Sequence, residues 1–254
     1  MEIKHLGFDI LLGQHKPENI INTKAKCPFC DRDNLTDILD QSGDILLIKN
    51  KYNVLENSFQ TVLIETTECN SDISLYNKEH LHQLIQFGVN HWMKLINSQK
   101  FKSVLFFKNH GPLSGGTIRH PHMQIIGLET IDYHTMFDRK EFTGICIDKA
   151  NGVEFNLSTY PRIGFSEFNV VVSDNNQINQ MADYIQIAIH YILNHFNHRC
   201  NSYNLFFYLI DGLIRVKVMP RFATSPLYIG YNIHLIPNNL ENIVTELQNL
   251  YFSN

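Results

Sequence analysis

Twice along this chain a strand is followed by a long amphipathic helix and then by two further strands, and that recurring order restricts the fold more than any other feature. In the first occurrence Asp44 to Lys49 and Thr61 to Thr66 read as strands, with apolar residues concentrated in Ile45-Leu46-Leu47-Ile48 and Val62-Leu63-Ile64. From Lys78 to Asn97 the residues Leu81, Leu84, Ile85, Val89, Trp92, Leu95 and Ile96 recur at steps of three and four, which predicts a helix with one apolar face packed on the strands. Phe101 to Lys108 then reads as a buried strand, Asn109 to Arg119 as a turn-rich loop, and His120 to Leu128 as a further strand. The second occurrence is fainter: a strand at Glu167 to Val172, then a helix at Gln177 to Asn197 with Met181, Tyr184, Ile185, Ala188, Tyr191 and Ile192 on one face. Strands Tyr203 to Ile210 and Leu213 to Met219 follow, joined by the turn Asp211-Gly212. The pattern predicts an α+β protein made by duplication of one unit, with tandem domains at 1-150 and 151-254. No Gly/Pro/Ser-rich linker marks the boundary, which is set near Asp148 to Gly152.

A length of 254 residues with 44% apolar and 11% aromatic composition is enough for one large domain or two small ones. The net charge of −4, with basic residues scattered along the chain, leaves no footprint for nucleic acid, although a small anion held by local donors fits. The start Met1-Glu2-Ile3-Lys4-His5 lacks the pattern of a signal peptide, and no stretch approaches the ~18 apolar residues of a membrane span. A soluble cytoplasmic protein with no membrane partner is the expectation. Five cysteines and no secretion signal argue against a disulfide framework. Cys27-Pro28-Phe29-Cys30 places two thiolates on one tight turn, the usual half of a tetrahedral zinc site. A thioredoxin-like redox pair is the alternative, but it should open a helix after a strand, and this one follows the polar stretch His15 to Lys26. Cys146 and Cys200 have no nearby partners and are expected as small buried apolar residues.

In the run His120-Pro121-His122-Met123-Gln124, residues two apart on a strand project from one face, so His120, His122 and Gln124 should align. A neutral imidazole attacks phosphorus when one ring nitrogen is free and the other donates its N–H to a fixed acceptor. The preceding loop, Asn109-His110-Gly111-Pro112-Leu113-Ser114-Gly115-Gly116-Thr117, suits phosphates. Gly115 and Gly116 let backbone N–H groups approach an anion, and Asn109, Ser114 and Thr117 add side-chain donors, with Lys108 and Arg119 flanking.

The segment from Phe107 to Gly127, together with Cys27 and Cys30, resembles the galactose-1-phosphate uridylyltransferase branch of the histidine-triad superfamily. That branch includes dinucleoside polyphosphate phosphorylases and ADP-glucose-type adenylyltransferases. The resemblance implies a histidine-triad-like fold, each unit an antiparallel sheet with a packed helix, the first unit catalytic and the second divergent. It makes His122 the nucleotidylated nucleophile, Gln124 a contact of the transferred phosphate, and Asn109 a phosphate ligand. It implies a structural zinc ion on Cys27, Cys30, His120 and, where the family has a further histidine, Cys69. Asn50 and Tyr52 fall where the family contacts the nucleoside, with Lys51 in place of the family's aspartate. The implied activity is nucleotidyl transfer, uridylyl or adenylyl, from a nucleotide sugar or dinucleotide to a phosphorylated acceptor, in a homodimer. Glutamine at position 124 hydrogen-bonds but cannot titrate, unlike the third histidine of the hydrolases, and this favours transfer. A nucleotide phosphohydrolase and a non-catalytic nucleotide sensor are the alternatives.

The second half departs from the family. Val216-Lys217-Val218 stands where a metal-binding His-x-His would fall, and Gly230-Tyr231 survives without its lysine and glutamate neighbours. Aligning Phe106-Phe107 with Phe206-Phe207 sets Arg215, Lys217 and Met219 against His120, His122 and Gln124. Arg215, Lys217 and Arg221 are then candidates for a different anion pocket, and Arg162, in the turn Tyr160 to Gly164, for a phosphate ligand. His80 and His82 read as surface residues of a helix, and His195 and His198 as a helix end.

Overall fold

The computed structural model describes residues 5–196 and 200–253, so the end of the second predicted helix at Asn197, and His198, lie outside the described residues. The chain forms two compact units, one of residues up to Asp72 with Gln83–Met136, the other of Ile73–His82 with the chain from Phe137 onward. After a short helix, α1 (Ile10–Gln14), the first unit contains β1 (Ile38–Ser42), β2 (Ile45–Lys49), β3 (Ser58–Ile64), β4 (Ser103–His110) and β5 (His122–Leu128). Helix α2 (Lys78–Asn97) lies between β3 and β4 in sequence and has the bounds its apolar periodicity predicts. The strands pair antiparallel in the order β1-β2-β3-β5-β4.

Period two gives this sheet two different faces. Phe106, whose ring packs on Trp92 of α2 at 6.0 Å, pairs with Ile125, and Leu63 pairs with Met123. These side chains are buried beneath the helix with Leu84, Ile85 and Val89. Gly88 lets α2 come this close, since a Cβ there would sit 2.5 Å from Cζ of Phe106 and 3.3 Å from Cδ1 of Leu63. On the other face Leu46, Ile48, Val62 and Ile64 pack with Phe29 and are joined by Cys27, Leu35 and Ile118. That second apolar floor underlies the site.

The second unit repeats the arrangement with β6 (Gly144–Ala150), β7 (Val153–Ser158), β8 (Phe168–Val172), α3 (Ile178–Tyr191), β9 (Tyr203–Ile210) and β10 (Leu213–Pro220). Its strands are antiparallel in the order β6-β7-β8-β10-β9, the same path as in the first unit, again with the helix between the third and fourth strands. The α+β class with two units of the same strand path is therefore what the chain adopts. Residues Asp148 to Gly152, expected as a boundary, form the end of β6 and a two-residue turn into β7, with Asn151 and Gly152 at φ 50° and 74°. Phe155 stacks on Tyr184 and Phe168 meets Tyr191 edge-on, so this face of the sheet is covered by α3. The predicted helix ends its regular α form at Tyr191 and continues as a π turn over Ile192–Phe196. Helices α4 (Pro226–Tyr231), which carries Gly230 and Tyr231, and α5 (Leu240–Tyr251) complete the unit; α5 is fixed by Glu246, which accepts from the Tyr191 hydroxyl at 2.7 Å. No helix among the described residues is long and apolar enough to cross a membrane.

Several second-half expectations change. The Lys217 ammonium is enclosed and donates to Glu167 at 3.0 Å, Asn169 Oδ1 at 2.9 Å and the Glu141 carbonyl at 2.8 Å. It is a neutralised core cation, not part of an anion pocket, and Arg215 is likewise turned to the Val172 carbonyl at 2.6 Å. Arg162 Nη1 donates to both carboxylate oxygens of Glu141, at 3.0 and 3.2 Å, so this guanidinium is paired within the unit. Cys200 is buried as expected, but Cys146, near the free edge of the unit's outermost strand, is exposed. His82 pairs with Asp183 at 2.8 Å.

Candidate active site

Strand β5 begins at His122 and not at His120, because Pro121 has no N–H to give to a ladder. The Pro121 carbonyl accepts from the backbone N–H of Glu65 at 3.1 Å, and His120 turns its ring away from the strand. Its Nε2 donates to the Thr66 carbonyl at 2.9 Å, and its Nδ1 lies 3.6 Å from Cys27 Sγ and 3.5 Å from Cys30 Sγ. Arg32 braces this corner by donating to the Thr66 carbonyl at 2.6 Å and the Asp44 carbonyl at 2.8 Å.

The ligand atoms of Cys27, Cys30, Cys69 and His120 all lie within 4.8 Å of one another. Bonds of about 2.3 Å to sulfur and about 2.0–2.1 Å to nitrogen in a tetrahedron place nitrogen and sulfur about 3.6 Å apart, which is the spacing found. The other ring nitrogen of His120 makes the hydrogen bond to an oxygen that a metal-bound imidazole ordinarily makes. Burial, with the neighbouring Cys27 and Cys69, pushes the metal-free Cys30 thiol up to about 12. Such crowding of sulfur is relieved by a cation. The cluster fits a metal ion.

Two residues on, His122 is only 8% exposed. Its Nδ1 donates to the His120 carbonyl at 2.8 Å, so Nε2 is the unprotonated nitrogen, and the ring lines a pocket of about 570 Å³. Phe29 closes one side of the ring, centroids 5.4 Å apart. Burial, reinforced by the nearby Lys108 ammonium, lowers the His122 pKa to about 4, so the imidazole is neutral at pH 7. Lys108 itself is buried against Glu65, whose backbone holds Pro121.

Gln124, Asn109, Gly115, Gly116 and Thr117 line the same pocket as His122, and so do Asn50 and Tyr52. Gly115 adopts φ +86°, which a side chain would strain, and a Cβ on it would meet nothing within 4 Å, so this turn presents bare backbone. Ser114 is placed differently from the sequence expectation. Its hydroxyl donates to the Gly111 carbonyl at 2.8 Å and receives the Gly116 N–H at 3.3 Å, so it shapes the loop and does not line the pocket.

Other residues of the site carry no sequence signal. Buried Asn19 stitches the N-terminal segment to the loop, its N–H donating to the Thr117 carbonyl at 2.9 Å and its Oδ1 accepting from the Arg119 N–H at 2.7 Å. Lys16, Pro17 and Lys26 from that segment, and the turn from Asp31 to Asp37, supply the remaining wall. They come from stretches without periodicity, so only the fold brings them to the histidine.

Comparison with known proteins follows this geometry. Residues 8–131 match the N-terminal domain and residues 134–252 the C-terminal domain of DUF4931, a domain of unknown function. A crystal structure of a DUF4931 family protein from Bacillus cereus ATCC 10987 is 43% identical, with a TM-score of 0.79, over 85% of this chain and 100% of that one. The fold is shared at 12% identity with a uridylyltransferase, TM-score 0.72 over 97% and 98% of the two chains. It is shared also with an ADP-glucose phosphorylase from Arabidopsis thaliana with bound ADP-glucose, at 12% identity and TM-score 0.71 over 94% and 92%. No curated protein matches the chain by sequence. With both halves matched and 43% identity along the whole of a family member, this chain belongs to the DUF4931 family, built on the histidine-triad-like fold.

Proposed function

We propose that this protein transfers a nucleoside monophosphate through a covalent intermediate on His122. The observation that carries the reading is the His122 tautomer: Nδ1 bound to the His120 carbonyl, Nε2 unprotonated, on a ring that lines a pocket of nucleotide size. In the first step Nε2 attacks the phosphorus of the nucleoside phosphate. The N–P bond forms as the bond to the leaving phosphate oxygen breaks, and that oxygen departs with the electron pair. Positive charge gained by the ring is stabilised at Nδ1–H by the His120 carbonyl. Backbone N–H groups of Gly115 to Thr117, with Asn109 and Gln124, would hold the phosphoryl oxygens. An oxygen of a phosphorylated acceptor then attacks phosphorus, and Nε2 leaves with its electron pair restored.

Gln124 favours this course over hydrolysis, because an amide hydrogen-bonds to the phosphoryl group but does not titrate and so cannot act as general acid or base toward water. The metal held by Cys27, Cys30, Cys69 and His120 is, on this reading, structural zinc. It would tie the N-terminal turn to the residues that carry the nucleophile. The uridylyltransferase and ADP-glucose phosphorylase likenesses support a nucleotide sugar as the donor class, and we propose the second unit as a divergent copy without a nucleophile.

The test is intact-mass spectrometry after brief incubation without acceptor, using UDP-glucose, ADP-glucose and a diadenosine polyphosphate separately. A gain of one nucleoside monophosphate, absent in His122→Asn, is expected and identifies the base. An adduct that persists in His122→Asn would overturn the mechanism, and binding of a donor with no adduct and no released monophosphate would leave only a nucleotide sensor.

A further inference from the structure

Strand β5, which begins at His122, lies between β3 and β4. On the β3 side pairing reaches that residue itself, as Ile64 with His122, and goes one step further, where the Glu65 N–H donates to the Pro121 carbonyl at 3.1 Å. On the β4 side the register stops at Phe107 with Gln124, so His122 has no register partner on β4 among the described residues. Two residues past that point β4 delivers Asn109 to the same pocket as His122. Ladder pairing alone therefore does not set the separation of these two side chains.

A buried ion pair spans this gap. Lys108 follows Phe106 by two residues on β4, and Glu65 follows Leu63 by two at the end of β3, so both side chains leave the sheet on the face covered by α2, opposite His122 and Gln124. There the Lys108 ammonium donates to the Glu65 carboxylate, with the two side chains 1% and 0% exposed. Strands β3 and β4 are two strand spacings apart, about 10 Å, so the pair passes beneath β5 where that strand begins. An apolar pair of the same volume would commonly be as stable, so stability alone does not account for two charges at this place. Glu65 leads directly to the nucleophile. Its N–H fixes the Pro121 carbonyl, and the carbonyl one residue earlier, that of His120, is the acceptor that sets the His122 tautomer. Lys108 leads as directly to Asn109, its neighbour on β4.

Resting on the reading of His122 as the nucleotidylated group, we infer that Lys108 and Glu65 are positioning residues for the transfer. Their ion pair ties β3 to β4 across the start of β5 and sets the distance between His122 and Asn109, the phosphate ligand of that reading. Neither residue lines the pocket. A misplacement of about 1 Å between reacting groups costs about a hundredfold in rate, whereas nucleotide affinity is spread over the whole pocket and changes little. The pair therefore acts on formation of the N–P bond and not on binding.

Lys108→Met/Glu65→Gln removes both charges, so none is stranded in the core, while the tie is lost. Single-turnover labelling of His122 by UDP-glucose or ADP-glucose, followed by intact mass on the full chain, should slow about a hundredfold per folded molecule. The dissociation constants of 5′-UMP and 5′-AMP by titration calorimetry should stay within threefold of the parent. Lys108→Arg/Glu65→Asp lengthens one partner and shortens the other, and should keep labelling within tenfold of the parent. Labelling at the parental rate in the charge-free variant, or slowed only in step with weakened binding, would overturn the inference. If circular dichroism shows that variant unfolded, Glu65→Gln takes its place, with labelling expected to slow at least tenfold at unchanged affinity. The His122 ring gives a second readout in long-range nitrogen–proton correlation spectra, its signal identified by its loss in His122→Asn. The parent should hold the single Nδ1–H form, and the charge-free variant a mixture with Nε2–H. A parent that is never labelled but shows this shift sinks transfer and keeps the tie. A labelled parent, with rate and tautomer unchanged in the variant, sinks the tie alone.

Discussion

At His122 two requirements of a nucleophile are met by separate means: the tautomer by one hydrogen bond to the residue two before it, and neutrality by burial. The sign of the pH dependence follows. Burial disfavours the imidazolium, so the folded pKa of about 4 lies below the ordinary histidine value near 6.5, and the reactive neutral form persists until the pH falls through the folded value. Single-turnover adduct formation should be flat from about pH 8 to about pH 5.5, where an ordinary histidine would already have lost most of its rate. A rate that halves near pH 6.5 would show that the ring is solvated during the reaction. At this scale much was legible: strand spacing aligned His122 with Gln124, the Cys27-x-x-Cys30 spacing marked half of a metal site, and the glycine loop together with the family resemblance pointed to Asn109, which lines the same pocket as His122. Ser114 was misplaced because a hydroxyl in a glycine loop serves the backbone as readily as a ligand, and composition does not distinguish the two.

Among the elements, α2 was read with its full bounds because its apolar face runs unbroken from Leu81 to Ile96, whereas β1 escaped because none of its residues is buried. The β6–β7 hairpin was a missed signal: Asn-Gly between two apolar-alternating runs demands positive φ at both positions, as Asn151 and Gly152 adopt. How closely α2 approaches its sheet was invisible in the periodicity. Gly88→Val would drive a branched side chain onto Phe106, which is pinned by Trp92 and cannot swing away, so a loss of about 1–3 kcal/mol is expected in urea titration. An unchanged midpoint would mean that the helix shifts freely. The metal corner joins three segments far apart in sequence, and removing a ligand should loosen all of them. Cys27→Ser is expected to lose stoichiometric zinc by elemental analysis and to lower the melting temperature. In the intact protein zinc should be released as the pH falls, because protons compete for the thiolates. Full zinc occupancy in Cys27→Ser would show that the ligand set is wrong.

Across the whole molecule one strand path is used twice, and the corresponding sheet faces have been filled in opposite ways. In the first unit the face of β5 away from the helix carries His122 and Gln124 and is left open as a pocket. In the second, Val216 and Val218 of β10 pair with Val170 and Phe168 on the side of α3, which turns Lys217 to the other face. There Lys217 is sealed in by Glu167, Asn169 and the Glu141 carbonyl, beneath the Phe142 ring. No room is left for a ligand around its ammonium, which is 0% exposed, so this position is spent on specifying the fold. Lys217→Met would strand the Glu167 carboxylate without its cation, at a cost of about 3–5 kcal/mol, while Lys217→Met/Glu167→Gln removes both charges, keeps an acceptor for the Arg162 and Ile163 N–H groups that Glu167 now binds at 2.8 Å, and should recover part of that loss. The two variants are compared by urea titration, and adduct formation is measured per folded molecule. If the single variant is as stable as the parent, the pair is not a structural element. If the double variant is stable but no longer labels His122, the second unit serves the chemistry and not only the fold.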